Sequence, residues 1–471
     1  MVVEAASGSR SLHLPSGFGV LPFGRSWSRL DDVCDGVFDC PHSTPELVDV
    51  GPFVVRTQDI ITGVFRADQA ARVSEETYNE RIARGTPSRG DLLYSREGTY
   101  FGIAAEVPER MRVCLGQRMV LIRPKPILVD FRYLCRWLNS PVLASHIQGY
   151  RDGTVAERLN LPTIRALPVL VPPLAEQKAI AQILGALDDK IELNRRMNAT
   201  LEAMARALFQ SWFVDFDPVR AKLDLPARSL PVRGTQTGAH AVRRAPAGLD
   251  AETAALFPAK FQDSPLGPIP QGWTVQRLPD AIDVNPRRTL QTGTVAPYLD
   301  MKNLPTQGHC ADEVVDREFS SGTKFRNGDT LLARITPCLE NGKTGFVDFL
   351  RNGAIGWGST EYIVFDPKPP LPPQFGYFLA RSDTLRAHAI QNMTGTSGRQ
   401  RVPSECFSSF LLAVPSPAVA RQFGELTAPM MAEIKAHSDE SRTLATLRDT
   451  LLPKLLSGKL SAAELQKNVS V

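Results

Sequence analysis

The side chains with the clearest recognition chemistry are cations and small polar groups that occur in Gly-containing loops in both halves of the chain. Arg and Lys suit guanine or phosphate, Asn and Gln suit adenine, and Ser and Thr are adaptable hydrogen-bonding groups. Each type is also common on exposed surface or in structural hydrogen bonds, so only the set as a whole indicates a recognition surface. The candidates are Arg96, Thr99, Tyr100, Arg151, Thr154 and Arg158 in the first half, and Arg334, Thr336, Asn341, Lys343, Thr396, Ser397, Arg399 and Arg401 in the second.

Catalytic and metal-binding patterns, by contrast, are missing from the sequence. The glycine spacing of "LENGKTG" at 339–345 is wrong for a phosphate-binding loop, and no Gly-rich turn suits a nucleotide or a methyl-donor cofactor. His309 and Cys310 have no further ligands at metal-binding spacing, so we interpret them as a loop pair. The sequence predicts a chain with no active site, no metal and no cofactor of its own.

The recognition loops lie in sequence segments that occur twice in the chain. "GDLLYSREGTYFG" at 90–102 corresponds to "GDTLLARITPCLENGKTG" at 328–345, since both begin with Gly-Asp and an apolar strand and continue to an Arg and a polar loop. Residues 133–174 and 377–418 each show a helical pattern, a polar loop around Gly-Thr and an apolar strand closed by prolines. Because the order is kept, we interpret the chain as two similar domains.

A long helix is predicted after each repeat. In the first, the apolar seam positions alternate four and three residues apart, which is the pattern of a helix that packs along its length on another helix. Asp217-Pro218 is predicted to stop this helix, and Pro429 and Pro453 are predicted to kink the second. The seam residues are Ile180, Leu184, Leu187, Ile191, Asn194, Asn198, Leu201 and Leu208 in the first helix, and Ile434, His437, Ser441 and Leu444 in the second.

Polar seam positions near the middle of each helix predict how the helices pair. Asn194 and Asn198 interrupt the first seam, and His437 and Ser441 interrupt the second. In an antiparallel coiled coil these groups would meet in one layer, where their hydrogen bonds would fix the register. At about 1.5 Å per residue, roughly 35 helical residues would form a rod of about 50 Å with one repeat near each end.

The predicted fold class is therefore α/β (α+β), with tandem globular domains that are each followed by a long helix of an antiparallel coiled coil. The predicted boundaries are 1–173 for the first domain, 174–217 for the first long helix, 218–262 for an extended linker, 263–417 for the second domain, 418–460 for the second long helix and 461–471 for a C-terminal tail.

Composition limits the cellular setting. The chain has 471 residues, 43% of them hydrophobic, and a formal net charge of +4, which permits a polyanionic partner without requiring one. The seven cysteines form no C-x-x-C pair, and the odd count disfavours a disulfide framework. No continuous apolar run is long enough to span a membrane. We therefore expect a cytoplasmic protein with reduced thiols and no membrane contact.

Three short sequence words carry a resemblance to a known family. They are Ala-Glu-Gln-Lys at 175–178, Ser-Trp-Phe-Val-Asp-Phe-Asp-Pro at 211–218 and Gly-Pro-Ile-Pro-Gln-Gly-Trp at 267–273. With them the chain resembles, over almost its whole length, the specificity subunit of type I restriction-modification systems. The second helix departs from the family pattern, because Gln422 is kept but the Glu-Gln-Lys sequence is not.

The resemblance implies a DNA sequence-specificity subunit without catalysis of its own. Each target-recognition domain would read one half of a bipartite, asymmetric site in double-stranded DNA, and the coiled coil would set the unspecified spacer. The loop residues listed above would then be the candidates for contact with DNA. Two methylation subunits would use S-adenosylmethionine to modify adenine, and two restriction subunits would use ATP and Mg for translocation and cleavage. Two alternatives come from other classes: a self-sufficient methyltransferase or nuclease, and a coiled-coil scaffold that binds only proteins.

Overall fold

The computed structural model of the chain forms two compact units. Unit 1 comprises Met1–Ile191 with Arg442–Val471, and unit 2 comprises Glu192–Ser441. The boundary lies inside both long helices, so each unit combines one sequence repeat with part of each helix. The structure describes residues 2–4, 11–15, 21, 24–67, 70–98, 101–148, 158–223, 249–396 and 398–469.

Unit 1 contains the first repeat. Its strands are β1 (Val2–Glu4), β2 (Ser11–His13), β3 (Ser26–Arg29), β4 (Cys34–Asp39), β5 (Val48–Val55), β6 (Ile60–Ile61), β7 (Val64–Phe65), β8 (Ala71–Arg72), β9 (Leu92–Ser95), β10 (Ala104–Glu106), β11 (Val113–Leu115), β12 (Met119–Pro124) and β13 (Pro168–Val171). Its helices are α1 (Glu75–Ile82), α2 (Phe131–Leu138), α3 (Pro141–Ile147), α4 (Leu161–Arg165) and the N-terminal part of the first long helix, α5 (Leu174–Phe213).

Unit 2 contains the second repeat. Its strands are β14 (Phe261–Gln262), β15 (Ile269–Pro270), β16 (Thr274–Arg277), β17 (Ile282–Val284), β18 (Val295–Leu299), β19 (Val315–Glu318), β20 (Thr323–Phe325), β21 (Thr330–Ala333), β22 (Thr344–Phe346), β23 (Gly356–Gly358), β24 (Tyr362–Pro367) and β25 (Leu411–Val414). Its helices are α6 (Asp217–Lys222), α7 (Ala251–Ala255), α8 (Leu278–Ala281), α9 (Pro373–Ala380), α10 (Asp383–Gln391) and most of the second long helix, α11 (Pro417–Ser457), after which α12 (Ala462–Val469) belongs to unit 1.

The main sheets of the two repeats have the same strand order, which confirms the predicted duplication. Unit 1 has an antiparallel sheet of order β10-β9-β12-β4, and unit 2 has the matching order β22-β21-β24-β17. A second sheet in each unit contains one parallel pair, β11 with β5 and β23 with β18. The strands that begin and end each repeat pair antiparallel with each other, β3 with β13 and β16 with β25.

The central strands of each main sheet are buried along most of their length rather than at alternate positions. All four residues of β9 and of β21 are buried. Both faces of these strands must therefore be covered, and they are, because separate apolar clusters lie on the two sides of the sheet in each unit. A strand that is buried on both faces loses the period-two signal by which sequence reasoning recognises strands.

The two long helices pack on each other antiparallel, as predicted. In unit 1, Ile180 and Leu184 share an apolar cluster with Leu452, Leu455 and Leu456. In unit 2 the polar layer forms: the Asn198 side-chain amide donates to Ser438 Oγ at 3.1 Å, and the His437 Nδ1 to Asn198 Oδ1 distance is 2.9 Å. The Asn194 amide, which is fully buried, donates to Glu440 Oε2 at 2.7 Å and to Ser441 Oγ at 3.2 Å. Every predicted seam residue is buried or half-buried: Ile180, Leu184, Leu187, Ile191, Asn194, Asn198, Leu201, Leu208, Ile434, His437, Ser441 and Leu444.

The predicted C-terminal end of the first long helix needs correction. It ends at Phe213 rather than at 217, because Phe216 adopts a left-handed backbone conformation with φ 57°. Asp217 and Pro218 then begin α6 instead of stopping a helix, since proline fits the first turn, where its missing N–H costs no hydrogen bond. The second long helix runs from Pro417 to Ser457 without a break at either internal proline.

The segments predicted to be a linker and a C-terminal tail contain regular secondary structure in their described residues. Of the predicted linker 218–262, residues 224–248 lie outside the described part, while α6, α7 and β14 form in the remainder. The predicted tail 461–471 contains α12, whose Ala462 is buried in the same cluster as Ile180. Burial of Phe257 and Ala462 holds these segments in place. Neither residue belongs to a long periodic pattern, so no pattern in the sequence indicated this packing.

Candidate nucleic-acid interface

In unit 2 the two predicted recognition loops lie side by side. The Val402 N–H donates to the Arg334 carbonyl at 2.8 Å, and the Thr336 N–H donates to the Gln400 carbonyl at 3.0 Å. Ile335 and Arg401 form an isolated antiparallel bridge between these hydrogen bonds. The loop after β21 and the loop before β25 are therefore joined into one surface.

Unit 1 joins its two loops by the same hydrogen bond. The Leu159 N–H donates to the Arg96 carbonyl at 2.8 Å, and Glu97 bridges to Arg158. A third segment also recurs, because the Arg96 N–H donates to the Arg118 carbonyl at 3.0 Å and the Arg334 N–H to the Glu361 carbonyl at 2.9 Å. Each repeat thus builds one three-segment site from loops that are far apart in sequence. Thr99, Tyr100, Arg151, Thr154 and Ser397 lie outside the described residues.

In the unit 2 site, one arginine is held by an ion pair and another is half-buried. The Arg401 guanidinium donates from Nε to both oxygens of Glu361, at 2.9 and 3.0 Å, and this hydrogen-bonded carboxylate raises the pKa of Arg401. Arg334 is half-buried, and its buried Nε has no hydrogen-bond partner among the described residues. Because the Nε atom itself is buried, a ligand could contact only the accessible part of this half-buried side chain.

The unit 1 site has a different charge arrangement. Arg96 lies 3.3 Å from Asp39, and Arg118 lies 3.3 Å from Glu97. Arg118 in unit 1 therefore corresponds to Glu361 in unit 2, and Glu97 corresponds to Ile335. Two sites with the same backbone frame but different donors and acceptors are suited to different base sequences.

Several predicted contact residues have structural hydrogen bonds. Thr336 Oγ1 accepts from the Gln400 N–H at 3.0 Å, and Lys343 Nζ donates to the carbonyls of Met301 at 2.7 Å and Lys302 at 3.0 Å. These bonds shape the loop, so a DNA contact from Thr336 or Lys343 stays a prediction. The remaining candidates in the described part of the chain are exposed: Arg158, Asn341, Thr396 and Arg399.

Sequence reasoning missed the residues that hold the unit 2 loop in place. Arg381, the C-cap of α9, donates to the carbonyls of Thr306 at 2.6 Å and Thr344 at 2.8 Å and also to that of Gly342. Arg386 in α10 donates to the Glu340 carbonyl. In the sequence both arginines look like ordinary solvent-facing helix positions. Only the tertiary fold places them under the loop.

One side-chain cluster in unit 2 has metal-ligand chemistry. His309 is fully buried, with Nε2 3.0 Å from Asp348 Oδ2 and 3.4 Å from Cys310 Sγ. Burial lowers the pKa of His309, but the hydrogen bonds to Asp348 and Cys310 outweigh it and raise the pKa to about 10. The predicted loop pair thus has a third member that is distant in sequence.

Fold and site together define a protein with two repeated α/β domains, each with a loop-built polar site, and two long paired helices. Within the described residues no helix is long and apolar enough to cross a membrane. All seven cysteines are free thiols.

Comparison with known proteins supports the resemblance that the sequence carries. Residues 67–203 match the type I restriction modification DNA specificity domain. The HindI specificity subunit of Haemophilus influenzae is 23% identical over 441 residues, which cover 86% of this chain and 94% of that protein. The MjaIX specificity subunit of Methanocaldococcus jannaschii is 22% identical over 405 residues, 83% of this chain and 82% of that protein. The chain therefore resembles the specificity subunits of type I restriction-modification systems over most of its length, as its sequence words predicted.

A solved structure shares the fold. The S subunit of a type I restriction-modification system from M. genitalium aligns with a TM-score of 0.51 and 14% identity, over 94% of this chain and 98% of that one. At this identity the similarity concerns the fold, and it agrees with the predicted fold class.

Proposed function

We propose that this chain selects the DNA sequence on which a type I restriction-modification complex acts. Each repeat reads one half of a bipartite, asymmetric site in double-stranded DNA, and the long helices set the gap between the halves. The observation that carries the proposal is the three-segment site built twice on one backbone frame, around Arg96 in unit 1 and Arg334 in unit 2. A protein that bound only other proteins would have no use for two such sites with different charge arrangements.

The proposal assigns all catalysis to partners. Two methylation subunits bind the chain and transfer the methyl group of S-adenosylmethionine to adenine, and two restriction subunits supply ATP- and Mg-dependent translocation and cleavage. This chain then needs no cofactor. Its contribution is the difference in binding free energy between the correct sequence and other sequences, at about 1–3 kcal/mol for each well-paired base.

The decisive experiment maps methylated adenines. The chain is purified with its methylation subunit and incubated with genomic DNA and S-adenosylmethionine, and the products are sequenced with single-molecule detection. The expected result is one split motif with a fixed gap. Methylation without a gap, or methylation that is unchanged when this chain is omitted, would contradict the proposal and favour the scaffold alternative.

Arg334 should contribute most to reading by the unit 2 site. Replacement R334A removes the half-buried guanidinium with the unpartnered Nε, so we expect methylation at the cognate site to fall at least about tenfold, the loss of one specific contact. The measurement is the methylation rate on a duplex that carries the mapped motif. R351A is the matched control, because it removes the same charge from an exposed position outside both loops. Equal losses in the two variants would show that Arg334 acts only through net charge.

A further inference from the structure

His309, Cys310 and Asp348 bring three potential metal ligands together in unit 2. One ligand atom from each residue can be chosen so that all three lie within 4.8 Å of one another. We propose that this cluster binds a divalent metal ion of the Zn²⁺ class. The proposal is independent of the proposed DNA-reading function.

The distances fit a tetrahedral ion. With usual bond lengths of about 2.0–2.2 Å to nitrogen and oxygen and about 2.3 Å to sulfur, neighbouring ligand atoms should be about 3.4 Å apart for N and O and about 3.6 Å apart for N and S. The observed separations from His309 Nε2 are 3.0 Å to Asp348 Oδ2 and 3.4 Å to Cys310 Sγ. A small movement of each side chain therefore makes room for the ion.

The chemistry of the three groups points to the same ion. A single N–H on His309 Nε2 can be directed at the carboxylate or at the sulfur, but not well at both. A cation would instead displace the Nε2 proton and the thiol proton to solvent, and would accept electron pairs from the imidazole nitrogen, the thiolate and the carboxylate at once. A set with one nitrogen, one sulfur and one oxygen suits Zn²⁺ better than Mg²⁺ or Ca²⁺, which prefer oxygen alone.

The surroundings allow an ion to enter from one side. The rings of Phe346 and Tyr377 lie edge-on to the buried His309 ring, with centroids 6.2 and 6.0 Å away. The Asp348 side chain is 20% exposed and Cys310 is half-buried, so the outer side is open to solvent. Water would supply the fourth ligand there.

A bound ion would have a structural effect. The Phe346 N–H donates to the His309 carbonyl at 3.1 Å, so the cluster lies where the segment before β19 meets β22. The same segment receives hydrogen bonds from Lys343 at Met301 and from Arg381 at Thr306. The ion would fix this segment to β22, directly beside the loop that carries Asn341 and Lys343.

Cobalt substitution tests the site directly. The full chain is stripped with a chelator and titrated with Co²⁺, which gives a thiolate-to-cobalt charge-transfer absorption when a cysteine is a ligand. We expect one equivalent to produce this band in the native chain, and C310S to abolish it. The control is C406S, since Cys406 is also half-buried in unit 2 but burial raises its thiol pKa to about 11. Far-ultraviolet circular dichroism verifies that each variant is folded.

A stability measurement gives a second readout that does not depend on cysteine. Zn²⁺ should raise the melting temperature of the native chain by several degrees and should leave that of D348N unchanged, because an ion that binds only the folded state stabilises it. No cobalt band in the native chain, a band that C310S retains, or an equal zinc effect on the native chain and D348N would overturn the proposal. The cluster would then be a buried His309–Asp348 ion pair beside a thiol.

Discussion

Exchanging residues 274–414 for the corresponding segment of a type I specificity subunit that the chain resembles should replace one half of the methylated motif and leave the other half unchanged. The structure gives exchange junctions that lie opposite each other in one sheet, unlike the boundaries 263 and 417 predicted from the sequence. Thr274 in β16 pairs with Val414 in β25, so both cuts fall at one end of one two-stranded sheet. The hairpin β14–β15 and Trp273 then stay with the long helices on which they pack. The measurement is the methylated motif, determined by single-molecule sequencing.

The reciprocal exchange is the matched control. Ser26 in β3 pairs with Val171 in β13, so residues 26–171 can be replaced with the same geometry in unit 1. That chimera should change the opposite half-site. If either exchange altered both halves, or neither, the two repeats could not be independent readers, and the duplicated sites would need another explanation.

The pairing of the long helices could be predicted because its signal is local. Apolar residues at heptad spacing predict both that a helix forms and which of its faces is buried. The polar positions carried further information, since Asn194 and Ser441 are hydrogen-bonded in the structure as an antiparallel register requires. The helix ends were predicted less well. The left-handed conformation of Phe216, which separates α5 from α6, has no glycine to signal it.

The candidate site could be predicted as two loops in each repeat but not as one surface. The hydrogen bond from Val402 to Arg334 joins residues from different ends of the repeat, and no short-range pattern encodes such a contact. The Asp348 partner of His309 and the clamp formed by Arg381 were missed for the same reason. Residue type indicated what the loops could bind, whereas the tertiary fold decides which side chains remain available.

Packing explains one residue in each of the three words that carry the resemblance. Gln177, from Ala-Glu-Gln-Lys, is fully buried, accepts from the Asp130 N–H at 2.8 Å and donates to the Leu128 carbonyl at 3.0 Å. Phe216, from the word at 211–218, and Trp273, from the word at 267–273, have ring centroids 5.6 Å apart. Gln177 connects the start of α5 to the segment before α2 in unit 1, and Phe216 packs the segment after α5 on Trp273 in unit 2. These words therefore have a structural role.

The variant F213A should therefore destabilise unit 2 by about 3–5 kcal/mol, the usual cost of truncating a buried phenylalanine. The Phe213 ring contacts Phe375 and Phe423, with centroid distances of 5.1 and 4.9 Å, and both Trp212 and Trp273 also pack against it. The measurement is native-state hydrogen exchange of the amides in β21 and β24, which reports the opening free energy of unit 2.

The control for F213A is M204A on the same helix. Met204 is 52% exposed, so its truncation should change the opening free energy by no more than about 0.5 kcal/mol. The comparison separates two roles for the word at 211–218. If F213A left the hydrogen exchange of unit 2 unchanged but prevented binding of the methylation subunit, the word would serve a partner surface. Because the Phe213 ring is almost fully enclosed by other rings of its own chain, we expect any loss of partner binding to follow from the loss of stability.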